Sequence, residues 1–203
     1  GPAGATLGAL LAKKGIDVIV IDQSKFPRYH VGESIIPQVL TVLEESGALE
    51  AVEKAGFLRK EGGVFKWGKQ KEPWTFFFDE MKGHYGREYA YQVVRSEFDA
   101  ILLKHARKVG VKVLEGIKAV DFIPAEKQSK NKLQVVTAKD HKGNLVTFKA
   151  KIVADCTGQA GWLAKKYKLR KMDPYLKNMA VWGYYKNAQR LEGRKANAIF
   201  CEA

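Results

Sequence analysis

Cysteine is scarce in this chain of 203 residues; there are two, Cys156 and Cys201. Their separation fits neither a metal-binding pair nor a disulfide framework, so a reducing, cytoplasmic setting is expected. Histidine is nearly as sparse. The four, His30, His84, His105 and His141, lack the spacing of metal ligands, and no metal is expected. No apolar run approaches the ~18 residues of a membrane helix, so no transmembrane segment is expected. No secretory leader, internal repeat, low-complexity tract or Ser–His–acid arrangement is visible. Acidic residues are few, 22 against 35 Lys and Arg, for a net charge of +13. A charge of that size marks many nucleic-acid-binding surfaces. Here the lysines are scattered, and Lys104, Lys108, Lys165 and Lys166 suit solvated helix faces. A nucleic-acid partner is therefore not expected.

One further absence is informative. The chain opens on Gly1-Pro2-Ala3-Gly4, which reads as the second half of the glycine loop G-x-G-x-x-G. The first glycine and the strand before it are missing, so the sequence is expected to be a piece of a longer enzyme. Gly1 lets backbone approach a pyrophosphate, and Gly4 lets the next helix pack closely on a sheet. Residues 5–14, mostly Ala and Leu, suit that helix, and Gly15 stops it. The helix start offers free N–H groups and partial positive charge to phosphates. Residues 17–21 form an apolar strand of the buried parallel type. Asp22 follows at the spacing of the acid that binds an adenosine ribose.

Further along, residues 26–32 read as a loop, and 34–46 and 49–55 as helices ended by Gly47 and Gly56. Residues 62–68 and 74–78 are aromatic and strand-prone. Residues 95–109 return to helix and 111–115 to strand. Residues 118–148 read as a β-meander, with a polar loop at 124–131 and a hairpin turn at 140–144. Strands are expected at 151–155 and 180–185, and a helix at 162–167. The fold class is α/β: a Rossmann-like dinucleotide-binding domain, parallel sheet with β-meander crossover, interleaved with a partial, mostly β substrate domain. The expected divisions are 1–57, 58–92, 93–172 and 173–203, with the second and fourth belonging to the substrate domain.

Three stations resemble the flavoprotein monooxygenase superfamily with the p-hydroxybenzoate hydroxylase fold. They are the GxxG helix with Asp22, the stretch Val94-Arg95-Ser96-Glu97-Phe98-Asp99, and the turn Ala154-Asp155-Cys156-Thr157-Gly158. Within it, Val31-Gly32-Glu33-Ser34-Ile35-Ile36-Pro37 and Gly62-Gly63-Val64-Phe65-Lys66-Trp67-Gly68 resemble the flavin-dependent halogenases of the tryptophan type. The W-x-W-x-I-P signature of that family falls beyond residue 203. Geranylgeranyl reductases and aromatic hydroxylases share the early motifs. A non-catalytic FAD- or NAD-binding module is the alternative of another class.

The resemblance implies FAD as cofactor, reduced by NAD(P)H directly or through a partner flavin reductase. It implies oxidation of halide by O2 and delivery of hypohalous acid to a lysine beside a small organic substrate. Burial tunes such an amine by lowering its pKa. Lys60 is the first candidate, with Lys66 and Lys69 as alternates. Gly32, Glu33 and Ser34 either line the flavin or cap the helix that follows. Arg28 and Arg95 are expected FAD contacts. Arg95 alternatively makes a helix-start ion pair with Glu97 or Asp99. Asp155 and Gly158 are expected to support the cofactor domain. Trp67, Trp74, Phe76, Phe77 and Phe78 either wall an aromatic substrate pocket or fill core. Cys156 is expected to be a buried small residue rather than a nucleophile.

Overall fold

Pro2 opens helix α1 (Pro2–Lys13), where its fixed φ suits the first turn and its missing N–H loses nothing. The computed structural model describes residues 1–69, 72–81, 87–125 and 132–202. Part of the loop expected at 124–131 and His84 lie outside the described residues. From α1 the chain enters β1 (Ile19–Asp22), then α2 (Pro37–Ser46) and α3 (Leu49–Lys54). Three short strands follow: β2 (Leu58–Lys60), β3 (Gly62–Lys66) and β4 (Trp74–Phe77). After β5 (Ala90–Gln92) come α4 (Arg95–Lys108), β6 (Lys112–Glu115) and the meander β7 (Lys118–Ile123), β8 (Gln134–Lys139), β9 (Leu145–Ala150). The short α5 (Trp162–Lys166) and β10 (Ile199–Glu202) complete the described elements.

β1 and β6 pair in parallel, with Asp22 opposite Glu115. Helices α1 and α4 lie together over this sheet and bury Ala5, Ala9, Phe98, Leu102, Leu103 and Ala106 with Leu40, Leu43 and Val52 of α2 and α3. The close approach of α1 depends on Gly8. A Cβ there would lie 3.0 Å from Val20 Cγ2 and 3.4 Å from Val111 Cγ1. At Gly4 the nearest atom, Cys156 Cβ, is 3.5 Å away, an ordinary contact. The tight-packing role expected of Gly4 thus belongs to Gly8.

Three expected elements differ. The helix expected at 34–46 begins only at Pro37, because a residue before proline is pushed out of the helical region. Ile36 is extended (φ −112°, ψ 159°). Residues 33–35 instead run along β5: Val93 N–H donates to the Glu33 carbonyl, Ile35 N–H to the Tyr91 carbonyl, and Ser34 bridges Gln92. The strands expected at 151–155 and 180–185 are irregular. Among the described residues neither has a neighbouring strand to satisfy its backbone groups. Ile152 and Val181 accordingly stand 82% and 87% exposed. The strand found nearby is β10, unexpected from the sequence, which pairs in parallel with β3.

β3 is also bonded to β4, and this pairing needs Gly62. A Cβ there would fall 2.1 Å from the Phe76 carbonyl oxygen, a backbone atom that cannot turn aside. Replacing Gly62 with Ala is expected to cost about 1–3 kcal/mol in urea unfolding, as overpacked sites do. An unchanged unfolding midpoint contradicts the register described for β3 and β4.

Candidate functional site

The glycine loop and the end of β1 meet. The Gly1 nitrogen lies 2.9 Å from Asp22 Oδ2, and Ser24 N–H donates to Asp22 Oδ1 at 2.9 Å. Gly1, Pro2, Ala3 and Gly4 form the start of α1, which has neither a capping side chain nor an acid in its first turn. Arg28 stands beside it. Its Nη2 is 3.0 Å from where a Gly1 Cβ would lie, and its guanidinium sits 4.7 Å from the Phe26 ring centroid. Arg28 Nη1 is buried and makes no aligned hydrogen bond, although Asp99 Oδ2 is 3.1 Å away. A glycine-rich helix start with the Arg28 guanidinium beside Gly1 fits a dinucleotide pyrophosphate.

Asp99 anchors the next layer. Its side chain is fully buried on α4, and Arg95 grips it with two parallel bonds, Nε–Oδ1 at 2.8 Å and Nη2–Oδ2 at 3.0 Å. Of the two ion-pair partners expected for Arg95, Asp99 is the one observed. Arg95 Nη1 donates to the Val31 carbonyl at 2.9 Å. Gly32 adopts φ +117°, and a Cβ there would lie 2.9 Å from the same nitrogen. A pocket of about 230 Å³ opens beside these groups, walled by Tyr29, His30, Glu33, Arg95 and Tyr184. Tyr184 donates to Glu33 Oε1 at 2.9 Å and lies 3.0 Å from the Tyr29 hydroxyl. The Gly32 N–H, and then the Tyr184 hydroxyl against a modest effect of burial, hold the Glu33 carboxyl below its usual range. Neither Glu33 nor Ser34 caps α2, whose N-cap is Ile36, so the capping alternative is not what the structure has.

Lys60 ends β2 and is 3% exposed. Its Nζ donates to Ser34 Oγ at 2.9 Å and lies 5.3 Å from the centroid of the Phe78 ring. No carboxylate pairs with it among the described residues. Burial pushes its amine below the ordinary lysine value, with the neighbouring Cys201 acting in the opposite direction. The alternates differ: Lys66 is turned outward to Glu202 at 2.6 Å, and Lys69 is exposed in a turn. From Phe78 an aromatic ladder continues over one face of the sheet, Phe78–Phe76 at 5.7 Å, Phe76–Phe65 at 5.9 Å and Phe65–Trp67 at 5.6 Å between centroids. Trp74 joins at 5.3 Å from Phe76, and both tryptophans are more than half exposed. These rings lie half-buried or exposed on the sheet surface rather than in the core. Phe77 points to the other face, under the Arg194 guanidinium at 4.0 Å.

Asp155 is committed to local structure. It accepts bonds from the Thr157 N–H and hydroxyl and from Leu163 N–H, which ties the turn to α5. Burial pushes its carboxyl up, but these bonds outweigh burial and hold it low. Gly158 turns there with φ +59° and open space around it. Cys156 packs on Gly4, and burial raises its thiol. No cluster of metal-ligating side chains occurs among the described residues, nor does a helix long and apolar enough to cross a membrane.

Sequence reasoning did not single out Asp99 as a hub, the Ser34–Lys60 bond, or Tyr184. The i, i+4 spacing of Arg95 and Asp99 on one helix was the available signal for the first. Contacts between residues 26 or more positions apart left none.

The sequence profile of the FAD binding domain family matches residues 1–185. Tryptophan 2-halogenase of Chondromyces crocatus is 39% identical over 189 residues, covering 93% of this chain and 34% of its own length. Flavin-dependent halogenase rdc2 of Metacordyceps chlamydosporia is 36% identical over 200 residues, covering 92% of this chain and 36% of its own. The crystal structure of CmlS, a flavin-dependent halogenase, aligns over 100% of this chain and 36% of its own with a TM-score of 0.90 and 33% identity. The chain therefore spans roughly a third of the length of these relatives.

Proposed function

This chain belongs to the FAD binding domain family, and from that premise we propose that it is the flavin- and lysine-bearing part of an FAD-dependent halogenase acting on a small aromatic substrate. The observation that carries the reading is Lys60: a buried amine with no carboxylate partner among the described residues, at the head of an aromatic wall. A lysine kept this way at no functional gain is costly to folding. Curated relatives and solved structures named as flavin-dependent halogenases support the same reading.

FAD, when bound and reduced, would give O2 two electrons and so let it take two more from halide, the overall balance being reduced flavin, O2, halide and one proton to oxidised flavin, hypohalous acid and water. Electrons come from NAD(P)H, directly or through a partner flavin reductase. The residues of this chain divide the remaining work. Gly1 to Gly4, Asp22 and Arg28 would hold the adenosine diphosphate moiety, with Asp22 placed to accept from ribose hydroxyls. Arg95 and Gly32 shape the loop that carries Glu33 and Ser34. Lys60 donates a hydrogen bond to the oxygen of hypohalous acid, which leaves as water while the halogen bonds to a ring carbon and the ring loses a proton. The aromatic ladder stacks the substrate and keeps water from the oxidant.

The test is made on the full-length protein with FAD, a flavin-reducing system, chloride or bromide and a panel of phenols, indoles and pyrroles. Halogen isotope patterns in the product are expected by mass spectrometry. Replacing Asp22 with Ala is expected to weaken FAD retention by at least about tenfold, or ~1.4 kcal/mol. A protein that neither retains FAD nor is shifted in melting temperature by it sinks the reading.

A further inference from the structure

Lys60 makes one hydrogen bond among the described residues, to Ser34. The two side chains come from segments 26 residues apart, and backbone ladders hold both in place. β2 and β5 are antiparallel, with Lys60 opposite Ala90 and Leu58 opposite Gln92. On the other edge of β5, Ser34 bridges Gln92, flanked by the bonds of Val93 to Glu33 and Ile35 to Tyr91. β5 therefore lies between the serine and the lysine, and their separation is set by main-chain hydrogen bonds.

The chemistry of the pair is asymmetric. An ammonium has three donors and no acceptor, whereas a hydroxyl both donates and accepts. Ser34 can accept from the charged amine and donate to the neutral one. The Phe78 ring face attracts only the charged form. The titratable group that acts on the amine from the packed elements is Cys201 of β10.

We propose that Ser34 is the positioning residue for Lys60: its hydroxyl aims the amine and stays bonded to it in both protonation states. This rests on the function proposed above for its catalytic consequence, but the coupling itself is independent of that reading. Ser34 thereby links the loop of Gly32 and Glu33 to the reactive amine through one side-chain bond. The catalytic contact remains that of Lys60; Ser34 acts through it.

The experiment uses the full-length protein with FAD and selectively 13Cε-labelled lysine. The resonance of Lys60, assigned by its loss in Lys60→Arg, is titrated with pH in wild type, Ser34→Ala and Ser34→Thr. In Ser34→Ala both bonds are lost, and the charge-assisted bond of the ammonium is the stronger, so the Lys60 titration midpoint is expected to fall. Ser34→Thr, which restores an Oγ, is expected to return it to the wild-type position. Halogenation kcat is expected to drop tenfold or more in Ser34→Ala, with the KM for the organic substrate within twofold. Ser34→Thr is expected to recover most of that loss. A midpoint and kcat unmoved in Ser34→Ala overturn the proposal while leaving the halogenase reading intact. A moved midpoint in a protein that halogenates nothing leaves the coupling standing and sinks the reading instead.

Discussion

Replacing Asp99 with Ala is expected to destabilise the protein by about 3–5 kcal/mol, the range for breaking a buried ion pair by removing one partner. The carboxylate is wholly buried, and two guanidinium groups converge on it, Arg95 through two aligned bonds and Arg28 at 3.1 Å. Its loss leaves Arg95 unpaired inside the molecule and frees Arg28 from the position it holds beside Gly1. Arg95 also fixes the Val31 carbonyl, so the loop carrying Gly32 to Ser34 is expected to loosen as well. Urea unfolding measures the first effect and FAD retention the second. Asp99→Asn, which keeps shape but not charge, is expected to fall between wild type and Asp99→Ala. A loss below about 1 kcal/mol is the magnitude of an exposed pair and contradicts the hub described for Asp99.

The second large effect has opposite signs for stability and activity. Lys60→Met is expected to abolish halogenation while sparing flavin reoxidation, because the flavin-side residues are untouched. The same change is expected to stabilise the fold by about 1–3 kcal/mol at neutral pH, since a buried charge is exchanged for an apolar side chain of similar length. Burial holds the Lys60 amine below the ordinary lysine value of 10.5. Between the folded value and that ordinary value the unfolded chain binds more protons, so stability rises with pH through this window. Below the folded value the penalty is present in full, and above 10.5 it is gone. The advantage of Lys60→Met over wild type is therefore expected to shrink as pH is raised toward 10. Unfolding curves at neutral and alkaline pH, with product analysis at neutral pH, check both halves. Retained halogenation in Lys60→Met removes Lys60 from the chemistry.

The sequence made the local features legible. Glycine, proline and hydrophobic period specify α1, α4 and the acid after β1, because those signals act within a few residues. The aromatic strands β3 and β4 were equally visible from composition. What stayed hidden depends on partners distant in the chain. Residues 151–155 and 180–185 have the apolar character of strands, yet character alone supplies no neighbour for the ladder. β10 is unremarkable in composition and becomes a strand because β3 offers it an edge. At the site, the resemblance already put Lys60 ahead of Lys66 and Lys69; what the sequence did not show is its burial, which follows from how β2 pairs with β5. Asp99 was one of two expected partners for Arg95; its burial beneath both arginines is a property of the packed helix.

The ladder through β5 has a consequence for redesign. Main-chain bonds across that strand, rather than interlocking rings, govern the spacing between the loop of Ser34 and the Lys60 amine. Trp67 and Trp74 are more than half exposed and belong to the sheet of β3 and β4, apart from these bonds. On the function proposed above, exchanging those two rings is expected to change substrate choice and to leave the Ser34–Lys60 spacing undisturbed, so that selectivity and reactivity evolve as separate traits.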